Sequence, residues 1–419
     1  MSMGFASDWL EKRAVFPEFI NEAPHANTGI IVIVPAYNEP GIAVMLDSLL
    51  FCDKPACEVE VIIVVNAPSD ANADSIRNNE DCIKNIEGWK KRNQDCFFQL
   101  FSLNIVKPDF RDWGVGLARK TGMDEAVRRF NRIGKSDGVI VNLDADCLVA
   151  KNYLVSLNNE LLINSQRSAC SIYFEHQRGN DDRLDEFITW YELHLRYFLQ
   201  GIKFAGFPFA FHTVGSSIAV KAISYIKAGG MNRRQAGEDF YFIQKLVPAG
   251  GYFSLSTTVV YPSARASSRV PFGTGATISR LTADKSVELL SYNVQAFKEL
   301  HSLFSSIESF FMSGDQDVES GYYNLPHGFR SFIDINEWTE KIAELKGNTS
   351  GLQSFRKRFF GWFNMFKIVK YLNLVHQNTF TKVSISKSAG ELINVLGLNY
   401  NSTDPGELLG FYRALEKNT

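Results

Sequence analysis

Two carboxylates one residue apart, Asp144 and Asp146, follow the apolar run Gly138-Val139-Ile140-Val141. Val and Ile favour extended backbone, and a short run without polar alternation suits a strand buried on both faces. Chain leaving such a strand can turn both carboxylates toward one point, and two hard oxygen donors at one point suit Mg²⁺ or Mn²⁺. A metal so placed is most useful where it also holds a phosphate. The same residues are equally readable as a strand end and a cap for a helix beginning near Asn152, because Asp is common at helix starts. A second acidic pair, Glu238-Asp239, follows Gly237. A carboxylate there can accept the proton of an attacking hydroxyl. Adjacent side chains at a helix start diverge by about 100°, so one can face a site while the other binds an acceptor or a cation. Capping of the helix expected over 240–246 also explains this pair, through the helix dipole, and the two roles are compatible.

The elements that must position these groups alternate along the first half of the chain. Ile30 to Val34 reads as a buried strand running into Pro35-Ala36-Tyr37-Asn38-Glu39, followed by a helix over 42–50. A second strand, 59–65, closes on the turn Asn66-Ala67-Pro68-Ser69-Asp70. A polar helix (74–92), a third strand (98–106), a helix (114–132) and the strand ending at Asp144 follow. Such alternation implies right-handed crossovers and a mostly parallel sheet. Ligands bind such sheets at the carboxyl ends of the strands, so the loops at Tyr37–Glu39, Asn66–Asp70 and Asp144–Asp146 are expected to meet in one crevice. The glycines of Gly114 to Gly122 do not have dinucleotide-binding spacing and follow the third strand rather than the first. Glycines at a helix start still expose N–H groups suited to an anion, with Arg119 and Lys120 one turn in; a helix with a solvated basic face is the simpler reading.

Taken in order, Pro35-Ala36-Tyr37-Asn38-Glu39, the loop at Asn66 to Asp70, Gly116-x-x-Arg119-x-x-Gly122, Asp144-Ala145-Asp146 and Gly237-Glu238-Asp239 resemble the GT-A fold glycosyltransferases, especially the large inverting family called family 2. The resemblance covers roughly residues 29 to 275. It implies an α/β fold of GT-A type, a mostly parallel sheet flanked by helices, with a mainly helical C-terminal region. It implies donor-binding roles for Pro35, Tyr37, Glu39, Asn66, Asp70, Arg119 and Asp144, and a Mn²⁺ or Mg²⁺ ion held by Asp144 and Asp146. Asp239 is then the catalytic base, with Glu238 beside it. The donor is a nucleotide sugar, a UDP- or GDP-sugar, and the acceptor a hydroxyl of a glycan, a lipid-linked acceptor or a small molecule, in a setting such as cell-envelope polysaccharide synthesis.

The chain also departs from the family pattern. Asn66 stands where an acidic residue is more usual. Val259-Val260-Tyr261-Pro262 occupies the position where a His often completes the metal site, leaving His176 and His212 as reserve candidates. The Q-x-x-R-W signature of processive synthases is replaced by Ser263 to Gly275. There Arg265 and Arg269, on a Gly- and Ser-containing loop, can close over a diphosphate through forked hydrogen bonds; a plain surface loop is the alternative. Transfer of one sugar per encounter follows. Retention of configuration, nucleotidyl transfer and a non-catalytic carbohydrate-binding scaffold are the competing readings. Pro35 to Glu39 lacks the glycine-rich loop of nucleotidyltransferases, and intact carboxylates speak against a scaffold.

Composition fits this class. A chain of 419 residues suggests more than one core, divided as an N-terminal extension (1–28), a catalytic domain (29–275, with the nucleotide-sugar half over about 29–150 and the acceptor half over about 151–275) and a helical region (276–419). A net charge of −2 argues against a nucleic-acid partner bound through bulk positive charge. Phe5 to Leu10 is broken by Asp8 and does not read as a secretory signal. Six cysteines without CxxC spacing suit a reducing, cytoplasmic compartment. A helix over 181–201 and the aromatic loop 206–212 offer Trp190 and His212 to the acceptor, although an aromatic stripe at helical spacing is usually core. Val287 to Phe311 reads as helical, and Asp404-Pro405 opens a final helix. The basic, aromatic segment 356–370 is expected to contact anionic membrane at its inner face, or to bury its aromatics in a helical core.

Overall fold

The computed structural model describes residues 4–106, 114–179, 181–235, 237–265, 273–284 and 287–418. They form two compact units, Met1–Leu184 with Thr213–Ser279, and Asp185–His212 with Arg280–Thr419.

The first unit begins with a short helix, α1 (Ser7–Arg13), and then alternates: β1 (Thr28–Ala36), α2 (Ile42–Leu50), β2 (Glu58–Ala67), α3 (Ala73–Arg92), β3 (Phe98–Val106), α4 (Val115–Arg132) and β4 (Val139–Asn142). After these come β5 (Leu148–Val149), α5 (Tyr153–Leu157), β6 (Ala169–Phe174) and α6 (Asp182–Ala205), which passes into the second unit. The first unit then resumes with β7 (Ile218–Lys221), α7 (Ala222–Lys227), α8 (Glu238–Leu246) and β8 (Tyr252–Tyr261). The eight strands make one sheet in the order β3-β2-β1-β4-β7-β6-β8-β5. β3, β2, β1 and β4 are mutually parallel, β6 is parallel to β8, and β7 and β5 run antiparallel to their neighbours. The mostly parallel sheet flanked by helices is thus the fold class expected from the sequence. Every residue of β1 is buried, as an unalternating Ile/Val run requires when helices cover both faces.

Helix α4 departs from the expected solvated basic face. Gly116 through Val127 are all buried, with Arg129 and Phe130. The reason is the N-terminal segment, which lies over the helix: Ala6 and Ile20 join its core cluster, with Phe5, Trp9, Leu10 and Phe19 packed alongside. The helix charges are therefore paired internally. Lys120 meets Asp124 at 2.9 Å, and Glu125 accepts the Ile20 N–H at 3.0 Å. Arg129 holds Glu60 of β2, Nη2 donating to Oε1 at 2.8 Å. On the sheet side Gly122 sits against Ile33 and Val64, where an added Cβ would collide with Ile33 Cγ2.

The second unit is helical, running from Val294–Ser305 to Pro405–Lys417, with a two-stranded ribbon pairing Leu290–Ser291 with Val383–Ser384. The continuous helix expected over 287–311 is instead this ribbon strand followed by helices Val294–Ser305 and Ile307–Met312. Asn293 starts the first of them by accepting the Gln295 N–H at 2.9 Å. In the segment 356–370, Phe359, Phe360 and Phe363 are buried in an aromatic cluster with Phe304 and Trp338. Its exposed residues are Arg356, Lys357, Arg358, Gly361 and Lys370, so contact with a lipid surface would rest on the cations among them and not on the buried Phe359, Phe360 and Phe363. Among the described residues no helix is long and apolar enough to cross a membrane. All six cysteines are unpaired, five of them buried.

Arg129 and Glu60 are 0% and 1% exposed, so removing one charge leaves the other buried and alone. Arg129→Met is expected to lower stability by about 3–5 kcal/mol in urea unfolding, with Glu60→Gln in the same chain restoring much of the loss. A single-variant loss below about 1 kcal/mol would contradict this packing.

Candidate active site

Four loops leave the carboxyl ends of β1, β2 and β4 and the end of β8, and a fifth group comes from the start of α8. The β4 loop turns at once: Cys147 N–H donates to Asp144 O at 3.0 Å, and β5 then pairs back onto β8 through Leu148 and Tyr261. The turn is tied down by Gln177, whose Nε2 donates to Asp146 O at 3.2 Å and to Tyr261 O at 2.7 Å. The carboxylate pair and the Arg265 loop after β8 are thereby fixed to one another.

Arg119 lies in the second turn of α4 with its side chain 5% exposed. Nη1 bonds Glu238 Oε1, and Nη2 bonds Asp144 Oδ1 at 2.5 Å. The guanidinium passes over Gly215, where a Cβ would strike it. Burial works against the cation, but Asp144 and Glu238 hold it firmly protonated. Arg265 makes the matching contact on the other side, with Nη2 bonded to Glu39 Oε1 and 3.0 Å from Asp146 Oδ2. Each arginine thus joins one carboxylate of the Asp144/Asp146 pair to a carboxylate from a distant loop.

Glu238 and Asp239 open α8 after Gly237, whose φ of +72° places it in the left-handed region that favours glycine. Gly116 and Gly114 allow the approach of this loop, since a Cβ at Gly114 would lie 2.8 Å from Gln235 Cα. The two carboxylates diverge as expected. Glu238 is buried on Arg119, whereas Asp239 is half-buried and its Oδ1 accepts the Phe240 N–H at 2.7 Å. Among the described residues its Oδ2 has no hydrogen-bond partner in the protein. Burial pushes the Glu238 carboxyl up to about 7, with Arg119 opposing and the Asp239 charge adding to the rise. Burial raises Asp239 as well, against Arg119 and the Phe240 N–H.

The remaining residues named from the sequence fall into place unevenly. Pro35 and Glu39 are buried, Tyr37 is half-buried, and Asn66, the penultimate residue of β2, is 5% exposed. Asp70 is exposed in the turn before α3. Arg269 lies outside the described residues. Trp190 is 4% exposed and packs on Phe187 with ring centroids 5.5 Å apart, so core packing takes its faces. His212 Nε2 lies 3.1 Å from Glu416 in the second unit. His176, the other reserve metal ligand, meets Thr274 Oγ1 at 3.2 Å. Gln177, Gly215 and two asparagines of α3, Asn78 and Asn79, were not anticipated. Nothing in local sequence pattern marks them, because their partners are backbone atoms or side chains brought in by the fold.

Among the described residues no group of three or more His, Cys, Asp and Glu side chains is arranged as a complete metal site. Asp144 and Asp146 supply hard carboxylate oxygens of the kind that hold Mg²⁺ or Mn²⁺ jointly with substrate phosphates and water, so these residues fit a shared site of that sort.

No protein-family model matches the chain, and comparison with curated proteins gives no match. Among solved structures the chain is similar to a fragment of S. aureus TarS in complex with UDP-GlcNAc, at 14% identity over 80% of this chain and 91% of that one, with a TM-score of 0.39. It is also similar to the mannosyltransferase PcManGT from Pyrobaculum calidifontis in complex with GDP-Man and Mn²⁺, at 16% identity over 99% and 92% of the two chains, TM-score 0.37. Glucosyl-3-phosphoglycerate synthase from Mycobacterium tuberculosis, in complex with phosphoglyceric acid, aligns at 16% identity over 65% and 90%, TM-score 0.31. These are distant likenesses.

Glu238 titrates in the native state above its ordinary value of 4.5, near 7. The native form therefore binds this proton more tightly than the unfolded chain. Its contribution to stability is full below about pH 4.5 and is lost as pH rises through about 7. Glu238→Gln is expected to flatten the fall in melting temperature across that window; an unchanged profile would contradict the assignment.

Proposed function

We propose that the chain is a GT-A type glycosyltransferase similar to the inverting family 2 enzymes, moving one sugar from a UDP- or GDP-sugar to a hydroxyl acceptor with help from Mn²⁺ or Mg²⁺. The observation that carries this reading is Arg119. One buried guanidinium touches both Asp144 and Glu238, so the two acidic pairs, far apart in sequence, serve one site. A reaction that needs a diphosphate neutralised and a hydroxyl deprotonated within a few ångströms uses both pairs together.

In this reading the loops after β1 and β2 hold the nucleoside, through Tyr37, Glu39, Asn66 and Asp70. Arg119 and Arg265 offer forked donors to the diphosphate, Arg265 by exchanging the carboxylates it holds in the free protein and Arg119 while remaining on Glu238. Asp144 and Asp146 would hold the metal with the donor phosphates, and that ion supplies Lewis acidity to the leaving group. Asp239 Oδ2 takes the acceptor hydroxyl proton as the oxygen attacks the anomeric carbon, while Oδ1 stays fixed on the helix N-terminus. Glu238 keeps Arg119 in place and contributes no proton transfer. The acceptor-side roles of Trp190 and His212 are not part of the proposal, since core packing and Glu416 engage them. A cytoplasmic setting at the inner face of a membrane belongs to it, with Arg356, Lys357 and Arg358 as the groups that would meet anionic lipid.

Loss of a general base typically lowers the rate by two to four orders of magnitude. Asp239→Asn is expected to slow nucleoside-diphosphate release from the donor ~10²- to 10⁴-fold while leaving the donor dissociation constant within about threefold. Wild-type turnover in this variant would show that the base lies elsewhere.

A further inference from the structure

Helix α3 carries no residue that composition or motif connects to chemistry, yet two of its side chains reach the donor loops. Asn79 is 4% exposed. Its Oδ1 accepts the backbone N–H of Asn38, in the loop after β1, at 2.8 Å. Its Nδ2 donates to the carbonyl of Asn66, at the end of β2, at 2.6 Å. The amide orientation is fixed by these partners, because a backbone N–H must meet oxygen and a carbonyl must meet the NH₂ group. From the preceding residue, Asn78 Nδ2 donates to Asn38 Oδ1 at 2.5 Å. Asn38 itself has φ +56°, a left-handed conformation that Asn tolerates better than most residues but that still needs holding. The two loops that flank the nucleoside side of the crevice are therefore spaced by one buried amide, and the turn in the first is pinned by a second.

We infer that Asn79, seconded by Asn78, is a positioning residue for the nucleoside half of the donor, setting the separation and register of the Tyr37–Glu39 and Asn66–Asp70 loops. This rests on the donor-site reading above. The diphosphate side is held from α4, β4 and the loop after β8, and among the described residues the hydrogen bonds of Asn79 go to Asn38 and Asn66 instead. Its loss acts on nucleoside recognition and leaves phosphate capture intact. Asn79→Asp is the informative variant: it keeps an acceptor for the Asn38 N–H and sets a carboxylate oxygen against the Asn66 carbonyl, releasing the second loop alone. Asn78→Ala, at a half-buried position, releases only the Asn38 side chain.

The test is calorimetric titration of UDP, GDP and inorganic pyrophosphate, each with Mn²⁺, into the wild-type chain and both variants, with donor turnover in parallel. For whichever nucleotide the wild type binds, Asn79→Asp is expected to weaken binding ~10-fold and Asn78→Ala ~3-fold, roughly one lost hydrogen bond's effect in each case. Pyrophosphate binding stays within twofold, and the loss appears in donor KM more than in kcat. Equal nucleotide affinity in Asn79→Asp and wild type overturns the inference alone. A matching fall in pyrophosphate affinity also overturns it, by showing a global defect. A wild type that binds neither nucleotide overturns the donor-site reading and the inference with it.

Discussion

Everything in the first unit's site depends on one buried cation. The Arg119 guanidinium, 5% exposed, lies between Asp144 and Glu238. A charge out of water is tolerable only when its partners are close and well oriented, and here the partners come from two segments far apart in sequence. The ion pairs therefore do more than neutralise one another. They fix the strand-end carboxylate pair and the start of α8 in one frame, and burial of Glu238 follows from the same contact.

The frame needs a helix that can be buried on every side. α4 achieves this because the N-terminal segment covers its outer face and because glycines stand where close approach occurs. Gly122 admits Ile33 and Val64 of the sheet, and Gly116 admits the chain just before α8. Arg129 on Glu60 and Lys120 on Asp124 resolve the other charges that this burial creates. The residues before β1, which looked from the sequence like an extension, are thus part of the enclosure that buries α4. Arg265 is the more exposed counterpart, at 38%, and that difference suits the exchange of partners proposed for it.

Much of this was legible in the sequence. Unalternating Ile/Val runs at 30–34 and 61–65 located β1 and β2, and the polar residues at their ends located the loops. The two acidic pairs were visible as pairs, and their divergence at a helix start followed from helical geometry. Other features were not legible for a common reason. The burial of α4 depends on a segment about a hundred residues away in sequence, so its basic residues looked solvated. Gln177, Gly215 and Asn79 act through backbone atoms or shape that only the fold brings near. Trp190 had the residue type for a sugar platform, but exposure, which sequence does not reveal, decides whether an aromatic face is available.

The central claim is that the Arg119-centred crevice binds a nucleoside diphosphate together with a divalent ion. A ligand that binds only the native state raises the melting temperature by mass action. The decisive measurement is the melting temperature of the purified chain with UDP, GDP or CMP, each with and without Mn²⁺. The account predicts an increase for UDP or GDP that is larger with Mn²⁺ and absent in Asp146→Asn. No shift with any nucleotide, in either the presence or the absence of Mn²⁺, would contradict it.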